Sequence, residues 1–461
     1  MKRQLLSLAL AMTLLIALLG ARPEPVQAAS FVVYNNADDA WAHDANPGDG
    51  ICADAEGACT LRAAIEETEA LAGADTITFN SAMTITLDTG VGALPSINQQ
   101  LEIDASSVWD TLNDQPGVTL NGNGLTFSGL NLRADDCEVY GLFITNFLMA
   151  IDIYGADNAI IGGSAQGQRN VLSGNSNMGV RISGGGSHNL IRGNWIGLSI
   201  TGAAKAPNFN GVYISGGANN NTIGGLQANQ GNYISGNTYH GVYIQGDGAH
   251  NNYLYGNIIG LPATGSQNVG NGLDGVYIGK ITGDTTGPEY NWIGSVGWPA
   301  NTISNNGEYG VYILGARNNF VENSTITTNI SDGVRIDGNT AYGNWVTVNS
   351  IHDNGGKGIE LVNGSQHDIA APIITSASRF DVSGTSCGLC RIDIYSDNSD
   401  EGAIWHGYVD ATASGDWAYN GTIDGPYVTA TATDDSTWET SEFSAPKGVG
   451  CVYLPFTVRN R

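Results

Sequence analysis

The tetrapeptide Gly-Val-x-Ile recurs down the middle of the chain. It reads Gly179-Val-Arg-Ile182, Gly211-Val-Tyr-Ile214, Gly241-Val-Tyr-Ile244, Gly275-Val-Tyr-Ile278, Gly310-Val-Tyr-Ile313 and Gly333-Val-Arg-Ile336, and Gly358-Ile-Glu-Leu361 is a fading copy. Successive copies start about 32, 30, 34, 35, 23 and 25 residues apart. A fixed motif with variable spacers marks a solenoid, in which each repeat is one turn and insertions bulge out as loops. Alternate residues of a strand face opposite sides, so the Val and Ile of each copy point inward and the variable residue points out.

Each repeat holds more than one short strand. Asn170-Val-Leu-Ser-Gly-Asn175, Gly179-Val-Arg-Ile182 and Asn189-Leu-Ile-Arg-Gly-Asn194 are three strands separated by Gly and Asn bends. Three strands per turn, stacked about 4.8 Å apart, describe a parallel β-helix of about ten turns lined by shared aliphatic columns. Asn158, Asn189, Asn221, Asn252, Asn291, Asn319 and Asn344 recur at a bend, where their amides are expected to hydrogen-bond up a column.

The termini and texture divide the chain. Residues 1–28 read as a signal peptide: Lys2 and Arg3, an apolar run from Leu5 to Leu19, then Val26-Gln27-Ala28. The alternative is an uncleaved anchor. Residues 29–73 form a lead-in ending in a capping helix, with Thr60 as its N-cap and Leu61, Ala64, Ile65 and Thr68 on one face. Residues 74–364 carry the β-helix. Residues 368–446 hold alternating runs such as Arg391-Ile-Asp-Ile-Tyr395, about seven strands that suit a small immunoglobulin-like β-sandwich. The tail 447–461 reads as a final strand or a surface-attachment signal. No later segment is apolar enough for an integral membrane span, so the expected location is extracellular or cell-surface.

The formal charge of −26 becomes −28 once the first 28 residues, net +2, are set aside. Such a chain repels nucleic acid and other polyanions, and favours an acidic polysaccharide only through a bridging cation. Cys52 and Cys59 are close enough to close a small loop, and Cys387-x-x-Cys390 is expected as a local disulfide because zinc would require a second such pair. Cys137 and Cys451 are left over, and the sequence does not pair them.

With these residues in view, the chain resembles bacterial extracellular right-handed parallel β-helix repeat proteins, pectin-lyase-like in fold. It is similar more narrowly to a group named for a Cys-Ser-Leu-Arg-Glu-Ala motif, read here as Cys59-Thr-Leu-Arg-Ala-Ala64, followed by Asp75-Thr-Ile-Thr-Phe79 and Asn-x-Ile-x-Gly repeats. The resemblance covers roughly residues 44–364. It implies an all-β chain: a right-handed parallel β-helix and then the β-sandwich. That fold hosts lyases, epimerases, hydrolases and non-catalytic binding proteins, so it does not fix activity.

The outward column of the motif reads Arg181, Tyr213, Tyr243, Tyr277, Tyr312, Arg335, Glu360. Sugar rings stack on aromatic faces, and the rung spacing is close to a pyranose length, so the four tyrosines are the candidate glycan-binding residues. A ladder of good strand formers is the competing explanation. An adjacent column of glycines is expected to leave the rings open. If the chain is an enzyme, the resemblance points to a lyase or epimerase, and the nearest match to its carboxylates and base is Asp332, Arg335 and Asp337, with His240 and Asp274 on neighbouring turns. Asp135-Asp136 is the one acidic doublet in the stack and has no companion His or Arg-x-Lys. Calcium is the only cofactor left open: Asp44 and Asp49 approach a calcium loop with the glycine one position early, and Asp434-Asp435 is similar. The expectation is a surface or secreted protein with a glycan-binding, adhesive or structural role rather than catalysis; the alternative is a polysaccharide lyase or epimerase working on the same outer face.

Overall fold

In the computed structural model, which describes residues 28–227 and 229–450, three long parallel sheets wind round one shared core. Residues 1–27, where a signal peptide was expected, and the tail from 451 onward, with Cys451, lie outside the described residues. The first sheet has 11 strands, from Ser30–Val33 to Trp345–Thr347. The second has 10, from Met83–Thr86 to Ser350–His352. The third has 9, from Ser128–Leu132 to Ile359–Val362, and holds the Gly-Val-x-Ile copies. Each strand pairs with the strand one turn before and one turn after, which is a parallel β-helix. Right-handed crossovers are the ones strand twist favours between parallel strands of one sheet.

The core follows from the alternation. In the third sheet Val180, Val212, Val242, Val276, Val311 and Val334 pair in register, as do Ile182, Ile214, Ile244, Ile278, Ile313 and Ile336, and all are fully buried. The first and second sheets supply matching columns, for example Ile191-Ile223-Leu254-Ile293 and Ile196-Ile234-Ile259-Ile303. Apolar surface is thus removed from water continuously along the axis, at roughly 25 cal/mol per Å². The repeats differ in length because excursions leave the turns. One excursion carries Leu198 and another Val269, and both pack with Val171 and Trp195 on the outside of the second sheet.

Polar ladders run beside the aliphatic columns. In the first, each Asn donates its backbone N–H and one side-chain N–H to the Oδ1 of the Asn one turn on: Asn221 reaches Asn252 at 3.1 and 3.0 Å and gives its other side-chain hydrogen to the Gly186 carbonyl. The column runs Asn189, Asn221, Asn252, Asn291, Asn319, Asn344 and ends on the Gln366 side chain. Asn158 is not in it, contrary to expectation. Ala159 occupies the ladder position and donates its N–H to Asn189, while Asn158 is exposed with φ 59° at the neighbouring left-handed corner. A second ladder joins Asn170, Asn194, Asn232, Asn257 and Asn301, and a third joins Asn175, Asn208, Asn237, Asn271, Asn306, Asn329 and Asn354. Within each ladder a buried amide is met by its twin one turn away, which makes a buried polar column tolerable.

Both ends of the stack are covered. The helix Leu61–Ala70 starts at Thr60, whose hydroxyl accepts the Ala63 N–H at 3.0 Å. Arg62 is buried and forked onto Asp38, with its remaining hydrogens on the Ala93 and Gly92 carbonyls. Buried Glu67 accepts the Gly48 and Gly50 N–H groups, so the helix also anchors the loop before it. The Cys52–Cys59 disulfide closes that loop, and Cys387 and Cys390 are also bonded. Cys137 is buried and unbonded among the described residues.

At the other end sits a small antiparallel sandwich of eight strands, seven of them within 368–446 and the eighth, Lys447–Gly448, in the stretch read as the tail. Ile373–Ala377, Asp381–Thr385 and Asp416–Asn420 form one sheet; Arg391–Asp397, Ile404–Asp410, Tyr427–Asp434, Glu439–Thr440 and Lys447–Gly448 form the other. Its strands close the last turn: Ile351 bridges to Gly402, Thr347 donates to the buried Asp393, and the third asparagine ladder ends on the buried Glu401 carboxylate, which accepts from Asn354 twice. No helix among the described residues is long and apolar enough to cross a membrane.

Candidate functional site

Register places the outward column of the third sheet as the motif requires. Asp152, Arg181, Tyr213, Tyr243, Tyr277, Tyr312, Arg335 and Glu360 pair one to the next. The tyrosine rings are half-buried rather than open, and they meet edge to face. Centroids are 5.1 Å apart for Tyr213–Tyr243, 4.9 Å for Tyr243–Tyr277 and 5.4 Å for Tyr277–Tyr312, with interplanar angles of 57°, 90° and 83°. Edge-to-face contact is the electrostatically preferred arrangement for rings this close. Burial pushes the phenols of Tyr243, Tyr277 and Tyr312 up, Tyr312 further through its hydrogen bond to Asp337, so all three are neutral donors at ordinary pH.

The glycine column has a different purpose from the one expected. A methyl group built on Gly241 would lie 2.6 Å from the Gly275 carbonyl oxygen, 2.8 Å from Ile259 and 2.9 Å from the Asn271 amide. Gly211, Gly275, Gly310 and Gly333 each meet the equivalent glycine carbonyl, isoleucine and asparagine of their own neighbouring turns. These glycines let the chain pass close beside the asparagine ladder at the corner; they do not clear a groove beside the rings.

The residue before each motif glycine forms a second, mostly buried column at the corner: Met178, Asn210, His240, Asp274, Tyr309, Asp332 and Lys357. His240 packs between two tyrosines, 4.8 Å from the Tyr277 ring and 5.2 Å from Tyr243. Its Nδ1 is 3.0 Å from Asp274 Oδ2, though not aligned as a hydrogen bond, and Nδ1 has no other partner. Asp274 is buried and its other oxygen accepts the Tyr309 N–H. Phe209 stacks on Tyr239 at 4.0 Å along the rim.

The two ends of the face differ in charge. At the N-terminal end the buried Asp152 accepts from Arg181 Nε at 2.7 Å, Arg181 Nη2 at 2.8 Å and Arg133 Nη2 at 3.0 Å. At the C-terminal end Arg335 lies among Asp332, Asp337 and Glu360 and over the Tyr309 ring at 5.2 Å. The three residues singled out for an enzyme, Asp332, Arg335 and Asp337, thus come together, but as an ion cluster in which each carboxylate is already engaged. Asp332 also accepts the Lys357 N–H, and Asp337 takes the Tyr312 hydroxyl and the Asn363 amide. Burial, then the charge of Asp332, holds the Glu360 carboxyl above its usual range.

The other acidic candidates close turns. Asp44 accepts the Asn46 and Ala53 N–H groups and Asp49 the Ile51 N–H; Asp434 binds Ser436. Asp135 accepts the Asp157 N–H at an exposed corner away from the tyrosines. Among the described residues no group of three or more His, Cys, Asp or Glu is gathered as for a metal ion. Arg133, Asp152 and Tyr309 were not legible as site residues, although Ile151-Asp-Ile153 alternates as the motif does and the residue before each glycine was there to be read as a column.

No family model matches the chain, and no curated protein matches it. Among solved structures it is similar to the A-module of the Azotobacter vinelandii mannuronan C-5 epimerase AlgE4, at 16% identity over 70% of this chain and 78% of that one, TM-score 0.37. It is similar to an alginate lyase from Paenibacillus sp. at 15% identity over 66% and 95%, TM-score 0.40. It is similar to pectate lyase Pel9A at 12% identity over 74% of each, TM-score 0.39. Likenesses this distant carry no argument about chemistry, and the description of the fold rests on the strand pairing itself.

Proposed function

We propose that the chain is a carbohydrate-binding β-helix protein that lays an extended glycan along the outer face of its third sheet. The observation that carries this reading is the run of four tyrosines in register, with His240 and Tyr309 alongside and Phe209 and Tyr239 exposed along the rim. Half-buried phenols held apart by edge-to-face packing offer ring edges, partial faces and neutral hydroxyl donors, the mixture that pyranose rings use. The two disulfides support a protein working outside the reducing cytoplasm, in a secreted, surface-bound or adhesive setting. Buried Thr60 and Arg62, which cap and anchor the first turn, support kinship with the Cys-Ser-Leu-Arg-Glu-Ala group. The test is a glycan panel read with the intact protein and with Tyr243→Ala/Tyr277→Ala. The reading expects at least one retained polysaccharide whose binding falls by about tenfold or more in the variant; no retained glycan, or equal retention by the folded variant, sinks it.

His240 favours a second reading, a lyase or epimerase. An imidazole beside a buried carboxylate and two phenols has the parts for moving a proton at a sugar carbon next to a carboxyl group. Incubation with uronate polymers, with and without calcium, decides it. Unsaturated product (lyase) or C5-inverted uronate (epimerase) that disappears in His240→Gln or Asp332→Ala sustains catalysis, and absence of both across the panel leaves binding alone.

A further inference from the structure

We propose that the Arg133–Arg181 end of the tyrosine face is a carboxylate subsite, so that the glycan bound there carries an isolated acidic sugar on an otherwise uncharged chain rather than a run of uronates. This rests on the glycan-binding reading above and narrows its ligand. Two guanidinium groups share one carboxylate, Asp152, whose side chain is only 2% exposed, while those of Arg133 and Arg181 are 30% and 31% exposed. One positive charge is therefore left over, at a fixed place on a chain whose formal charge is −26. The forks are held for an incoming anion. Arg181 uses Nε and Nη2 on Asp152 and leaves its Nη1 without a partner among the described residues; Arg133 uses Nη2 there, and its Nη1 is buried and unpaired. Arg133 also lies over the Tyr154 ring at 4.9 Å, and that ring is half exposed, so an aromatic surface adjoins the charge. A guanidinium oriented by a buried acid meets a second carboxylate at little further ordering cost, and such charge-assisted pairs are the stronger hydrogen bonds.

The rest of the face selects against more acid. From Arg181 to Arg335 the outward column passes four tyrosines and no cation, about 24 Å at roughly 4.8 Å per rung. Beyond it Asp332, Asp337 and Glu360 outnumber Arg335, and Lys357 is shared with Glu442 at 2.9 Å. A polymer with a carboxylate on every sugar would set some of them over uncharged rings and others against that acidic end.

The experiment compares the full-length protein's affinity, at low and high salt, for a neutral β-glucan, for gellan, whose glucuronates are separated by neutral sugars, and for polygalacturonate. Gellan is expected to bind about tenfold tighter than the neutral polymer, to lose that margin in high salt, and to lose it in Arg133→Gln, which leaves the Arg181–Asp152 pair in place. Polygalacturonate is expected to bind more weakly than gellan. Polygalacturonate binding as tightly as gellan, or a margin untouched by Arg133→Gln and Arg181→Gln, overturns the subsite while the tyrosine reading stands. Binding of none of these, with no hit on the glycan panel, removes the tyrosine reading and the subsite with it.

Discussion

Two kinds of repeated residue stack through the middle of this molecule, asparagines at the corners inside and tyrosines on the face outside, and they repeat for different reasons. An interior asparagine is fully buried and satisfies its neighbour with two hydrogen bonds, so any change strands donors on one turn and an acceptor on the next. The tyrosines pair in register just as strictly, yet their rings are half-buried and touch mainly one another. Packing requires the first repetition and only tolerates the second, which makes the outer column the place to look for function.

Substitutions separate the two. Asn271→Ala should be the most damaging, because it leaves the Asn237 N–H and side-chain amide and the Ile234 carbonyl unmet; a loss of about 3 kcal/mol or more is expected in denaturant melts. Gly241→Ala should cost about 1–3 kcal/mol through its clash with the Gly275 carbonyl, and the measurement doubles as a check that this column serves packing. Glu401→Ala should cost about 1–2 kcal/mol by leaving Asn354 without its two acceptors.

Glu401→Gln should be milder and informative about pH. Burial raises the Glu401 carboxyl, so its protonated form is the one the fold favours. That contribution is complete below the unfolded value, and it is lost as pH rises through the folded one. Wild-type stability relative to Glu401→Gln should therefore fall as pH climbs above the ordinary carboxylate range, and a flat difference would contradict the assignment. Smallest of all, Tyr243→Phe removes a hydroxyl with no internal partner and should change stability by under about 0.5 kcal/mol while still lowering glycan affinity.

The fold was legible because its rule is periodic. Gly-Val-x-Ile announces inward and outward residues by alternation alone, and the aliphatic columns and outward register follow from it. What escaped is what periodicity does not encode. Asn158 missed its ladder by one residue, since a corner needs both a left-handed position and an amide, and either can be Asn. The second and third ladders sit at the corners flanking second-sheet strands of only two or three residues, too short to show a pattern. Arg133 and Asp152 meet through stacking of turns that precede the first copy of the motif. The glycines were read by what they lack, whereas the carbonyl and amide crowding each one are set by neighbouring turns.

Ring-labelled tyrosine spectra of the intact protein, titrated with the best glycan from the panel, test the central claim most directly. The account predicts that the ring signals of Tyr213, Tyr243, Tyr277 and Tyr312 move together and saturate, while Tyr395, buried in the sandwich, stays fixed. Saturable binding with those four signals unmoved would contradict it.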